Sequence, residues 1–150
     1  MVEFMKQHLL VLAAAVLAAA ALIGCAGSGD DRVVGTQDPR ILGDWVATQI
    51  RLGDETAGCP GTLVVGGEGD EDTISCSDAI TTFTAEGKIL SGTTSQEYFF
   101  SSGNLTVYSN PRLSVEVTFE ELDTVMKFRF RQNERTAEVW YARPAVAART

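Results

Sequence analysis

Few side chains of this chain are equipped for covalent or acid–base chemistry. They are three cysteines (Cys25, Cys59 and Cys76), one histidine (His8) and two groupings of carboxylates. Glu68, Asp70, Glu71 and Asp72 fall in the acidic, glycine-rich run Gly66 to Thr73, whose hard oxygens could suit calcium. Their spacing does not match an EF-hand loop, so the run is read as a soluble hairpin tip and no metal is expected. Glu116 and Glu120 occupy alternate positions of a strand-like stretch, which makes them solvated charge on an outward face. His8 precedes the first apolar run, so beyond that run no histidine is left for a Ser-His-Asp or Cys-His arrangement. There is no Gly-x-Ser-x-Gly elbow, no phosphate-cradling glycine loop and no Gly-x-Gly-x-x-Gly. The sequence predicts no catalytic residues and no cofactor.

The segment ahead of Cys25 has a different character. Met1 to His8 is a short polar lead carrying Lys6, and Leu9 to Ile23 contains nothing but Leu, Val, Ile and Ala. That run is short for a helix spanning about 30 Å of hydrocarbon, and it fits the roughly 7–15-residue apolar region of a secretory signal. Leu22-Ile23-Gly24-Cys25 resembles the lipobox of bacterial lipoproteins. The resemblance implies that residues 1–24 are a signal peptide, that Cys25 becomes the new N-terminus, and that its sulfur carries fatty acyl chains into the membrane. It also implies a bacterial cell-envelope address, at the outer membrane where the organism has one, because Ala26 stands where an Asp would favour inner-membrane retention. An uncleaved anchor helix with an incidental cysteine is the alternative.

With Cys25 taken by lipid, Cys59 and Cys76 remain in an oxidising compartment, where pairing as a disulfide is expected. They are too far apart for a C-x-x-C redox motif, and no histidine is at hand to complete a zinc site. Charge narrows the partners further. Of twelve Lys and Arg and twenty Asp and Glu, only Lys6 and Glu3 precede Cys25, so the body carries eleven against nineteen. That acidic balance excludes nucleic acid and electrostatic docking on anionic lipid.

The elements that must position these residues lie beyond Cys25. Residues 25–40, with "AGSGDDRVVGTQDPR" after the cysteine, read as a flexible tether reaching at most about 50 Å when extended. From Ile41 the pattern is strand after strand. Leu113, Val115, Val117 and Phe119 alternate with polar residues, as do Met126, Phe128 and Phe130, and Glu121-Leu122-Asp123 between them suits a hairpin. Shorter runs at Trp45 to Arg51, Thr62 to Val65, Ala79 to Thr84, Lys88 to Ser91, Gln96 to Phe100, Asn104 to Ser109 and Thr136 to Arg143 continue the theme. Asn104-Leu105-Thr106, a glycosylation pattern, is read with Gly103 as a hairpin turn. The spacing of roughly 8–12 residues predicts an all-β fold, and sequential hairpins favour an antiparallel up-and-down barrel of about eight strands.

"ILGDW", Ile41 to Trp45, resembles the Gly-x-Trp opening of lipocalins and of bacterial lipocalin-like domains. "TFTAEGK", "SGNLTVY" and "VWYARP" are similar to later landmarks of the bacterial group. The resemblance spans residues 41–144 as a lipocalin-like domain and leaves 145–150 as a tail. It implies a structural floor in which Arg143 covers Trp45, with Gly43 letting the backbone bend close. It departs from the family by lacking clear second and third signatures and by inserting Gly66 to Asp72.

An eight-stranded barrel is filled by its side chains or holds one small ligand, and both readings stay open. The lining expected for a ligand is Phe83, Phe100, Val107, Val115, Val117, Phe119, Met126 and Phe128. The first functional expectation is therefore a lipid-anchored barrel binding a small apolar or amphipathic molecule. The second is a filled barrel that contacts another envelope protein.

Overall fold

The computed structural model describes residues 32–144. Cys25, the expected signal peptide, the first part of the expected tether and the tail 145–150 lie outside the described residues.

The described chain begins with a short strand β1 (Gly35–Thr36) and a 3-10 turn (Pro39–Ile41), then β2 (Gly43–Leu52). An insertion comes next, made of β3 (Glu55–Gly58), β4 (Gly61–Val65) and β5 (Asp72–Cys76). The rest is a meander: β6 (Ile80–Phe83), β7 (Lys88–Ser91), β8 (Thr94–Ser101), β9 (Asn104–Val107), β10 (Leu113–Glu120), β11 (Val125–Gln132) and β12 (Arg135–Ala142). β2 and β6 to β12 pair with their sequence neighbours, and β12 returns to β2. The result is a closed antiparallel barrel of eight strands, and closure leaves no free edge around the ring.

Period-two alternation explains why these segments close in this register. On β10, Val115 and Val117 are buried while Ser114, Glu116, Thr118 and Glu120 are exposed. Sliding any pairing by one residue would send the apolar set outward, so burial locks the register. The outer face gains a matching charge pattern: Glu116 lies opposite Arg129, Arg129 opposite Glu138, and Glu138 opposite Arg51. Arg51 and Glu138 approach to 3.6 Å. Exposed pairs of this kind contribute about 0.2–1 kcal/mol each, so the ladder specifies register more than it stabilises the fold. Glu116 and Glu120 belong to this solvated surface.

The ends of the barrel differ. At the floor lie the starts of β2 and β11 and the ends of β6, β8, β10 and β12. The opposite end, the mouth, receives the insertion. There β2 exchanges its partner: residues 43–46 pair with β6, whereas 49–52 pair with β3. Among the described residues β3 has no ladder to β7, so the hydrogen-bonded wall is interrupted on the mouth side.

Two sequence expectations are corrected. The later part of the expected tether belongs to the fold, since β1 pairs in parallel with Phe99 and Phe100 of β8, and Arg32 forms an ion pair with Glu97. A positive φ at Gly87 and its close approach to Gly35 and Val34 let this strap cross the β6–β7 turn; a Cβ there would lie 2.5 Å from the Gly35 nitrogen. Second, the acidic insert is a hairpin tip only through Glu71. Asp72 opens β5 and is 1% exposed, held by Asn133 and Arg135 of the β11–β12 turn. β3 and β5 went unforeseen, because neither shows a run of alternating apolar residues.

Candidate functional site

The floor sets the depth of everything above it. Ile41 is fully buried beneath the barrel, and the Trp45 indole N–H donates to its carbonyl at 2.8 Å. The Arg143 guanidinium lies 3.8 Å from the centre of the Trp45 ring and donates to the carbonyls of Leu42 at 2.7 Å and Arg40 at 2.9 Å. Burial pulls the Arg143 pKa below its ordinary value, although a guanidinium stays charged at any physiological pH. Gly43 has φ +99°, and a Cβ there would stand 2.9 Å from an Arg143 nitrogen. Close approach of the arginine to the backbone needs the missing side chain.

Above the floor, rings meet across the lumen. Trp45 on β2 reaches Phe119 on β10 at 6.3 Å, and Phe119 reaches Phe100 on β8 at 6.1 Å. These strands are not neighbours in the ring, so the contacts cross the interior and fill it. Leu105 and Met126 are also fully buried. Phe83 packs edge-on against Tyr98 at 5.2 Å and against Phe128 at 6.3 Å, and Phe128 meets Tyr141 at 4.9 Å. The Tyr98 hydroxyl donates to the Thr84 carbonyl at 2.8 Å, and burial pushes its pKa to about 12.

All eight expected lining residues face inward, but they do not share one environment. Phe83, Phe100, Val107, Val115, Val117 and Met126 are buried, and Phe119 is half-buried at the floor under Arg40. Phe128, at mid-depth on β11, remains half-buried, as do Phe130 and Leu113 above it. An inward side chain at mid-barrel that solvent still touches marks a cup open toward the mouth.

Across the barrel from Phe128 and Phe130 the wall is mixed. Thr81, Ser91, Thr94 and Gln96 take inward positions on β6, β7 and β8, alongside the buried Phe83, Ile89, Tyr98 and Phe100 of the same strands. The Thr94 hydroxyl donates to the Ser91 carbonyl at 2.7 Å. Gln96 is 5% exposed, and its Oε1 is the buried side-chain polar atom left without a hydrogen-bond partner among the described residues.

Over the mouth lies the β4–β5 hairpin, with Ile74 and Cys76 buried on its underside and Leu63 and Val65 half-buried beside them. Two fastenings hold it. The Cys59–Cys76 disulfide joins the end of β5 to the residue after β3. Asp72 pairs with Arg135, which also reaches Asp70 at 3.4 Å, and the Gln132 amide donates to the Thr73 carbonyl at 3.0 Å. The hydrogen bond that Arg135 donates to Asp72 raises the Arg135 pKa further. Among the described residues no group of His, Cys, Asp or Glu is arranged to hold a metal.

Sequence reasoning misses Gln96 and Arg135 and takes Asp72 for one more acid of a solvated hairpin tip. The parity of Gln96 with Tyr98 and Phe100 carried the signal for an inward polar residue. No family model matches the chain, and neither curated proteins nor solved structures yield a match.

Proposed function

We propose that this protein is a bacterial envelope lipoprotein, anchored in the membrane through acylated Cys25, whose barrel takes one small apolar or amphipathic molecule into its mouth half. One observation carries the ligand reading: Phe128 is still open to solvent at mid-depth of an otherwise packed barrel. Burying an apolar molecule against Phe128, Phe130 and Leu113 removes from water the surface the fold leaves exposed. The reading is of a binding protein.

The test uses residues 25–150 with Cys25→Ser, the chain that the lipoprotein reading leaves after cleavage, without its acyl chains. Saturable uptake of an apolar environment-sensitive dye, displaced by small amphiphiles, is the expected result; the absence of saturable uptake overturns it. Intact mass of membrane-extracted protein checks the anchor. A chain beginning at Cys25 with added acyl mass is expected, and a chain retaining Met1 without acyl mass overturns the address.

A second reading, a filled barrel that contacts another envelope protein, draws on Leu122. This side chain is 98% exposed, at the tip of a β10–β11 turn in which Glu121, Leu122 and Asp123 all have positive φ. Such a turn holds non-glycine residues in a conformation that costs about 1 kcal/mol or more for each. Failure of dye uptake would leave this reading in place.

A further inference from the structure

Along the inner face of β8 run Thr94, Gln96, Tyr98 and Phe100. The hydroxyls of Thr94 and Tyr98 both donate to backbone carbonyls. Gln96 stands between two satisfied neighbours with its own carbonyl unpaired. Leaving such an acceptor buried and unmatched costs about 1–3 kcal/mol. Each exception of this kind calls for a specific account, and a site built to hydrogen-bond a ligand is one in which the missing partner comes from outside the protein.

The rest of the interior says what that partner is. Inward positions on the barrel strands carry no Asp, Glu or Lys. The one cation at inward parity, Arg135 at the rim, is occupied by Asp72 and Asp70. A charged head group in the cup would find no free counter-ion, and an unpaired buried charge is costly. A carboxylate would moreover face the Gln96 carbonyl, acceptor against acceptor.

We propose that the cup selects a neutral amphiphile with one hydrogen-bond donor, a hydroxyl or amide N–H, which it gives to Gln96 Oε1. Its apolar part then lies against Phe128 and Phe130 on the opposite wall. The proposal rests on the ligand-binding reading and adds the polarity of the ligand and the direction in which it enters, donor group first.

The experiment measures displacement of the bound apolar dye from residues 25–150 (Cys25→Ser) by 1-decanol, by its methyl ether and by decanoate. In the native sequence decanol should displace at about five- to tenfold lower concentration than the ether, the range a single neutral hydrogen bond supports, with decanoate weakest. In Gln96→Leu the alcohol and the ether should become equal within about twofold, each read relative to the dye affinity measured for that variant. Gln96→Met gives the same comparison should the leucine variant melt early. Dye binding without any preference for decanol, or a preference that survives in both variants, overturns this proposal and leaves the ligand reading intact. No dye binding by the native sequence fails the ligand reading itself. A crystal of the decanol complex with only a water on Gln96 Oε1 also overturns the role given to Gln96.

Discussion

The floor half and the mouth half of the barrel are built from the same strands by opposite means. The floor is filled by rings meeting across the lumen and sealed by the 3-10 turn that leads into β2, with Arg143 laid over Trp45. The mouth is roofed by a separate hairpin that needs a disulfide and a buried ion pair to stay in place. Its inner wall keeps an unpaired carbonyl at Gln96, whereas at the floor the Trp45 N–H and the Arg143 guanidinium both find carbonyl partners. The lesson is a division of labour along the barrel axis. Close packing at the floor supplies stability, whereas the mouth half, where Phe128, Phe130 and Leu113 are only partly buried, is where the proposed ligand would sit.

The largest expected effect falls on the floor. Trp45→Ala should cost about 3–5 kcal/mol, the range for deleting a large buried aromatic, read from the urea midpoint. A loss under about 1 kcal/mol would mean that the floor is not the stabilising half. Next comes the roof. Replacing Cys59 and Cys76 together by Ser should cost about 3 kcal/mol in the chain-entropy account of a bridge closing a 17-residue separation. Hydrogen exchange should then rise in β4 and β5 while the floor strands stay protected. Equal loss of protection at both ends would dissolve the distinction between the two halves.

The smallest effect appears only in alkali. Burial raises the Tyr98 pKa from 10.0 to about 12 and moves Tyr141 upward as well. The unfolded chain releases these protons first, so stability is complete below about pH 10 and declines from there toward pH 12. Phenolate absorbance from Tyr98 should be missing at pH 11 in the folded protein and appear on adding denaturant. Its appearance in the folded state near pH 10 would place Tyr98 in contact with water.

Much of this architecture was legible in the residues. β10 and β11 alternate strictly, so their faces and hairpin follow from period two alone. The Trp45–Arg143 pair was implied by a family resemblance at two sites nearly a hundred residues apart, and no local pattern would have joined them. Other parts were illegible for physical reasons. β3, Glu55–Gly58, has backbone hydrogen bonds to β2 and almost no apolar side chain to announce it. Asp72 reads as one more solvated acid of its run, and only the fold brings Arg135 and Asn133 to it. At Gln96 parity discloses the direction of the side chain, but whether its carbonyl finds a donor depends on several strands at once.

The strap on β8 has a mechanical side. Because Arg32 is already fastened to Glu97 and stacked on Tyr108, only residues 26–31 separate it from Cys25. At about 3.4 Å per residue such a leash spans no more than about 24 Å, roughly half of what the whole stretch to Arg40 would allow. Were Cys25 acylated as proposed, the body would be moored by its flank at β8 rather than by its base, and its tumbling would be confined to a narrow range of tilts above the lipid.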